Sequence, residues 1–268
     1  MGAEMFDWIY DLSTQKIVIV FCAFFIGFAW MGTVFVRPIL RLFVRRQAGL
    51  NDILSSFLSM YGVLFGILLG LIAVGAFQDR QEVDQSITSE ATAVFALFHT
   101  VSSYPPPEST ELEAAIGDYL KFVIETEWPA LRKGIATPAI DGSVLELKHR
   151  LTSFEPKTAG QEALHGEGIS QFFSFLELRN QRLYNATDGI PDIVWYVVIL
   201  GALLNISILW LFEVRLSVQF VLGGILGLSL ALEIALIAIL DKPLRGDAGL
   251  SPEVFEHLYQ LVTTSLAQ

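Results

Sequence analysis

Four blocks of nearly uninterrupted apolar residues stand out along the chain, at 17–36, 57–77, 193–212 and 220–240. Each is close to the ~20 residues that a helix needs to cross ~30 Å of hydrocarbon. Polar or helix-stopping residues bound them: Arg37-Pro38, Gln78-Asp79-Arg80, Gly189 with Pro191, and Asp241-Lys242-Pro243. The pattern predicts an all-α membrane protein, with four transmembrane helices and a helical soluble insertion between spans two and three. Residues 1–16 read as an N-terminal amphipathic segment, 17–77 as spans one and two, 78–190 as the insertion, 191–240 as spans three and four, and 241–268 as a C-terminal amphipathic helix.

The polar stretches carry helical periodicity too. Between spans one and two, Ile39, Leu40, Phe43 and Val44 alternate with Arg37, Arg41, Arg45 and Arg46, the pattern of a short basic helix on a membrane surface. After span two, Val83, Ile87, Ala91, Val94, Phe98 and Val101 recur at helical spacing up to Tyr104-Pro105, with Glu82, Asp84 and Glu90 off that face. Span two and this extension together make a rod of ~70 Å. Further helices fit 110–127, closed by Trp128-Pro129, then 144–154 and 168–184, with outer helices extending spans two and three. Ser251-Pro252-Glu253 opens the last helix, with Ser251 as N-cap.

Composition sharpens this. The chain is 53% hydrophobic and only 17% charged, and its single cysteine, Cys22, excludes a disulfide within the chain. Residues 79–190 hold 17 acidic against 9 basic residues, which argues against nucleic acid as a partner of the insertion. The joined side of the spans carries Arg37, Arg41, Arg45, Arg46 and Arg215 in short loops. The opposite side has Lys16, Arg80, Arg179, Arg182, Lys242 and Arg245 spread over far more chain. The positive-inside rule weights short loops and so places the arginine loop in the cytoplasm. The acidic domain and both termini are then extracytoplasmic, in a bacterial inner membrane. Trp195, Tyr196 and Trp210 are placed at the headgroup level.

Candidate chemistry is sparse. On span two, Ser55, Ser59, Gly62, Gly66 and Gly70 form one helical stripe, suited either to close helix packing or to lining a narrow pore with hydroxyls and backbone. Gly223, Gly227, Ala231, Ala235 and Ala238 form a similar stripe on span four, read as packing. Glu233 lies inside span four, where a carboxylate is costly unless paired, protonated or facing water. It is either an ion- or proton-pathway residue or a structural hydrogen bond, with Asn205 of span three as candidate partner at ~9 Å in depth. His99, His149, His165 and His257 show no metal spacing. No nucleotide-binding or hydrolase motif occurs, so no cofactor, metal or enzyme activity is expected.

Several short motifs point further: Asn51-Asp52 before span two, Tyr61-Gly62-Val63-Leu64-Phe65-Gly66 within it, and Gln81-Glu82 after it. Others are Glu127-Trp128-Pro129, Asp241-Lys242-Pro243, Gly246-Asp247 and Ser251-Pro252-Glu253-Val254-Phe255-Glu256. Together they make the chain, from about residue 45 to 262, resemble the bestrophin-like four-span membrane proteins of bacteria and plants. Bestrophins proper are pentameric anion channels whose second span lines the pore and whose insert is cytosolic. The resemblance therefore implies a homo-oligomeric channel for an inorganic ion in a lipid bilayer. In this chain Gly and Ser stand where an aromatic constriction is expected, and the arginine distribution gives the opposite sidedness. Two other readings stay open: a non-conducting sensor or scaffold whose acidic domain binds a partner, and a proton-coupled transporter using Glu233.

Overall fold

The computed structural model describes residues 7–43, 49–135, 137–138, 140–187 and 189–266, nearly all helical and, among these residues, without a strand. Four helices are long and apolar enough to span a membrane: α1 (Thr14–Phe43), α2 (Leu50–Val101), α7 (Asp192–Leu209) and α8 (Leu216–Asp241). Helices α3 (Glu108–Phe122), α4 (Trp128–Arg132), α5 (Gly142–Ser153), α6 (Ala159–Thr187) and α9 (Glu253–Leu266) complete the set among the described residues. The chain forms two compact units, one holding residues 1–78, 189–242 and 246–248, the other holding 79–188, 243–245 and 249–268.

The membrane unit is built on the pairing of α1 with α8. Phe21, Phe25 and Ala29 meet Leu230, Ala231, Ile234, Ala235 and Ala238, and α7 adds Val198, Ala202 and Ile206. Lipid tails are as apolar as these side chains, so close van der Waals contact must hold the helices together. Glycine provides it. A Cβ on Gly227 would lie 3.1 Å from the Phe25 carbonyl oxygen and 3.2 Å from the Ile26 Cα.

The second unit has an ordinary water-driven core. Val83, Ile87, Ala91, Val94 and Val101 of α2 pack with Leu112, Ile116 and Tyr119 of α3, Leu147 and Leu151 of α5, and Phe172 and Phe175 of α6. Phe255, Leu258 and Val262 place α9 in this core, so the C-terminal helix docks on the soluble unit.

Three predicted boundaries change. The α1 helix runs through Pro38 to Phe43, so the basic segment continues span one instead of starting a separate surface helix; Arg45 and Arg46 lie outside the described residues. Arg37, placed on the surface by its charge, is 2% exposed and donates to the carbonyls of Phe212 (3.3 Å) and Val214 (2.6 Å), satisfying chain ends after α7. The predicted extension of span three fails, because α6 ends at Thr187 and α7 restarts after Pro191, whose ring cannot continue a helix. Trp128-Pro129 does not close its helix either. A π-helical turn at Val123–Glu127 widens the backbone where the Pro129 ring would meet the Glu125 carbonyl, and the helix goes on to Arg132. The last helix starts at Glu253, with the Pro252 carbonyl accepting from Phe255 and Glu256.

Candidate functional site

The membrane half of α2 has two contrasting faces. One carries Tyr61, Phe65 and Leu69 toward the bundle, where the Tyr61 hydroxyl donates to the Gly201 carbonyl at 3.1 Å. A Cβ on Gly201 would overlap the Phe65 ring, so α7 has glycine where α2 crosses it. The other face carries Ser55, Ser59, Gly62, Gly66 and Gly70. All except the half-buried Gly62 are exposed, and no described atom lies within 4 Å of where a Cβ would sit on any of the three glycines. The hydroxyls of Ser55 and Ser59 return to helix carbonyls (Asp52 at 2.9 Å, Ser55 at 2.8 Å), leaving oxygen lone pairs on an open surface. Only 11% of the most apolar stretch of α2 is buried, against 39% for α8.

The span-four stripe behaves oppositely, since Gly223, Gly227, Ala231, Ala235 and Ala238 are all buried. Glu233 is on the outer side of α8 and exposed, whereas Asn205 is 4% exposed on the inner side of α7. The structure does not bring them together. Trp195 and Trp210, placed by sequence at the headgroups, are buried: their indoles donate to Asp241 (3.4 Å) and to the Ala29 carbonyl (3.2 Å). Tyr196 is exposed.

The short motifs now acquire physical roles. Asn51 clamps the α7–α8 loop like a strand partner, accepting from the Glu213 N–H (2.9 Å) and donating to the Glu213 carbonyl (3.3 Å). Asp52 places a carboxylate in the first turn of α2, where the helix dipole favours it. Asp241 is 5% exposed and accepts from the Tyr10 hydroxyl and from the Ile190 N–H at 2.6 Å. Gly246 has φ +73° against the Tyr10 and Leu12 carbonyls, which requires glycine. Asp247 accepts from the N–H and hydroxyl of Thr14 (2.7 and 2.5 Å) at the start of α1, and these bonds hold its carboxyl below the usual range. The Lys242 ammonium lies against Gly189 and would have to shift to admit a side chain there. The Pro243 carbonyl accepts from Leu250 N–H at 2.8 Å, and the Leu250 carbonyl accepts from the Trp128 indole at 3.3 Å.

The soluble unit holds a feature that the sequence reading missed. Glu90, Glu127, Arg179 and Arg182 are each 0% exposed and form one ion network. Arg182 donates from Nε to Glu90 at 2.5 Å and from Nη2 to Glu127 at 2.5 Å, while Arg179 Nη2 reaches Glu127 and Asp141 at 2.6 Å each. Tyr119 donates to Glu90 and accepts from Arg179 at 2.9 Å. Three carboxylates face two guanidiniums, and the third, Asp141, caps α5 through the Ser143 (2.7 Å) and Val144 (3.2 Å) N–H groups, whose dipole balances it. The rings of Trp128 (5.8 Å) and Phe255 (5.3 Å) flank Arg182, whose Nη1 has no hydrogen-bond partner among the described residues. Burial opposes the charge of Arg182, but Glu90 and Glu127 outweigh it and hold its pKa well above the ordinary value. Burial and the Glu90 charge push the Tyr119 phenol well up, keeping it a donor.

Arg179 and Arg182 thus do not serve as membrane-junction charges. Their signal was available: Glu90, expected off the apolar face, is buried and keeps helical register with Ile87 and Val94, and Arg179 and Arg182 do so with Phe172 and Phe175, each a charge on a buried stripe. The Glu127-Trp128-Pro129 and Ser251-to-Glu256 motifs converge on this one guanidinium. Among the described residues, no cluster of His, Cys, Asp and Glu could hold a metal ion.

The comparison with family models places this four-span helical architecture. The Bestrophin-like domain model matches residues 23–255, and the chain belongs to that family. Solved structures share the fold at low identity. A bacterial bestrophin homologue from Klebsiella pneumoniae, in two mutant forms, aligns at 12% and 11% identity with TM-scores of 0.69 and 0.66, covering 94% of this chain and 99% of that one. A protein described only as a membrane protein aligns at 11% identity and TM-score 0.69, over 94% of this chain and 98% of that one. No curated protein matches the sequence.

Proposed function

We propose that the chain is one subunit of a homo-oligomeric ion channel, with the Ser55, Ser59, Gly62, Gly66 and Gly70 face of α2 turned toward a shared axis. One observation carries this reading: among the described residues, nothing outside the local helix backbone lies within 4 Å of where a Cβ would sit on the three glycines, unlike Gly32, Gly201, Gly223 and Gly227, which neighbouring side chains or backbone approach. Small residues at that spacing serve close approach. With no helix of the same chain against them, the approach is left to other copies and to a permeating ion. Membership of the family supports the same conclusion.

Sidedness rests on charge. Burial removes Arg37 from one side and Arg179 and Arg182 from the other, leaving Arg41, Arg45, Arg46 and Arg215 on the side where the spans are joined by short connections, against Lys16, Arg80, Lys242 and Arg245. That keeps the arginine loop cytoplasmic and the acidic unit outside. Fusion of paired compartment reporters to the C-terminus decides it: activity of the cytoplasmic reporter alone reverses the assignment.

For conduction, purified protein in planar bilayers is expected to pass current under gradients of common inorganic ions. Gly66→Leu should abolish that current while native mass spectrometry shows unchanged assembly. Wild-type protein silent under every such gradient would falsify the channel reading.

A further inference from the structure

Lys16 on α1 and Glu233 on α8 both lie on the outer sides of their helices; both are exposed and neither has a partner among the described residues. The packing of α1 on α8 fixes their relative level. Gly223 faces Ala29 (3.4 Å), Gly227 faces Phe25 and Ile26 (3.1 and 3.2 Å), and the Tyr10 hydroxyl meets Asp241, so the helices run antiparallel in steady register. Continued along both helices, this register puts Glu233 level with Ile19. Lys16 is three residues further along α1, about 4.5 Å. The flexible four-carbon lysine stem spans such an offset.

Their directions are opposed. Helix α1 turns Ile17, Phe21, Phe25 and Ala29 inward, and Lys16 is nine residues before Phe25, about half a turn around the helix. Helix α8 turns Gly223, Gly227, Ala231 and Ala235 inward, and Glu233 is about 120° round from Gly227. Because α1 and α8 pack face to face, their outer sides look away from each other, and the two charges cannot meet within one chain. Acyl chains offer a carboxylate no donor, and a charge facing them is costly. A neighbouring copy offers an ammonium at the matching depth. Such a contact is head-to-tail, so it repeats from copy to copy and makes a ring when the rotation between copies closes.

We propose that Lys16 of one subunit pairs with Glu233 of the next, so that the membrane seam between copies runs from the outer side of α1 to the outer side of α8. This rests on the oligomeric reading above and adds which surfaces meet.

The test uses the full chain in bilayer discs with Cys22→Ala. Lys16→Cys and Glu233→Cys, placed on separately tagged copies and co-expressed, should cross-link to each other, while neither cross-links to its own kind. Lys16→Glu or Glu233→Lys alone should move the dissociation midpoint to about tenfold higher protein concentration, and the double reversal should restore it to within about threefold. Oligomeric wild type with no 16–233 cross-link and no response to charge reversal overturns the seam and leaves the channel reading standing. A wild type that is monomeric in bilayers removes both. If Glu233→Gln alters ion flux while both charge reversals assemble normally, Glu233 faces the ion path and the seam is wrong.

Discussion

The two stripes of small residues, on α2 and on α8, look alike in sequence and differ in what they touch. On α8, Gly223 and Gly227 are filled by α1, and a methyl group at Gly227 would strike the Phe25 carbonyl. On α2, Gly62, Gly66 and Gly70 meet nothing within 4 Å. The same helix behaves differently further along: its Val83-to-Val101 stretch is buried on one side and sends Glu90 into a closed ion network. Spacing thus shows where a helix can be approached closely. Only the fold shows whether its own chain does the approaching.

The contrast can be broken at the buried end first. Arg182→Met leaves Glu90 buried without its main cation and Glu127 with Arg179 alone, and should cost about 3–5 kcal/mol. Denaturant unfolding followed by helical circular dichroism reads that loss. A change under about 1 kcal/mol would mean that the network contributes little to holding the soluble unit. Next come the stripes themselves. Gly227→Ala should destabilise by about 1–3 kcal/mol, because the new methyl meets backbone that cannot yield. Gly66→Ala should have the opposite sign, gaining up to about 1 kcal/mol from helix propensity with nothing to strike. Equal effects at the two positions would erase the distinction.

The smallest effect concerns pH. Burial raises the Tyr104 phenol to about 12 and pushes that of Tyr119 well up. Both folded values exceed the unfolded value near 10, so the protonated phenols stabilise the fold fully below pH 10. That contribution is lost as pH rises from about 10 through 12. Tyrosinate absorbance should therefore show two phenols, Tyr104 and Tyr119, that ionise only above the ordinary tyrosine range near pH 10.

Much of this was legible in the sequence, because hydrophobic length and period are local properties. The four spans, the stop after Val101 and the apolar face of α9 all follow from them. Polar residues were legible only in part. Arg37, Arg179 and Arg182 were assigned to the surface by residue type, yet each is buried by a partner distant in sequence: Val214, Glu127 and Glu90. Residue type gives the average cost of burial, whereas the partner that offsets it is set by tertiary structure. For Asn51 and Asp241 the motif marked importance, and the hydrogen bonds to Glu213 and Ile190 supply the reason.

The central claim is that the glycine face of α2 borders an ion path rather than lipid. Gly66→Cys in the Cys22→Ala background, reconstituted in bilayers, tests it most directly. A water-soluble methanethiosulfonate should modify Cys at this position and block current, while a lipid-phase maleimide leaves it unmodified. Labelling by the lipid-phase reagent alone, with current unchanged, would contradict the account.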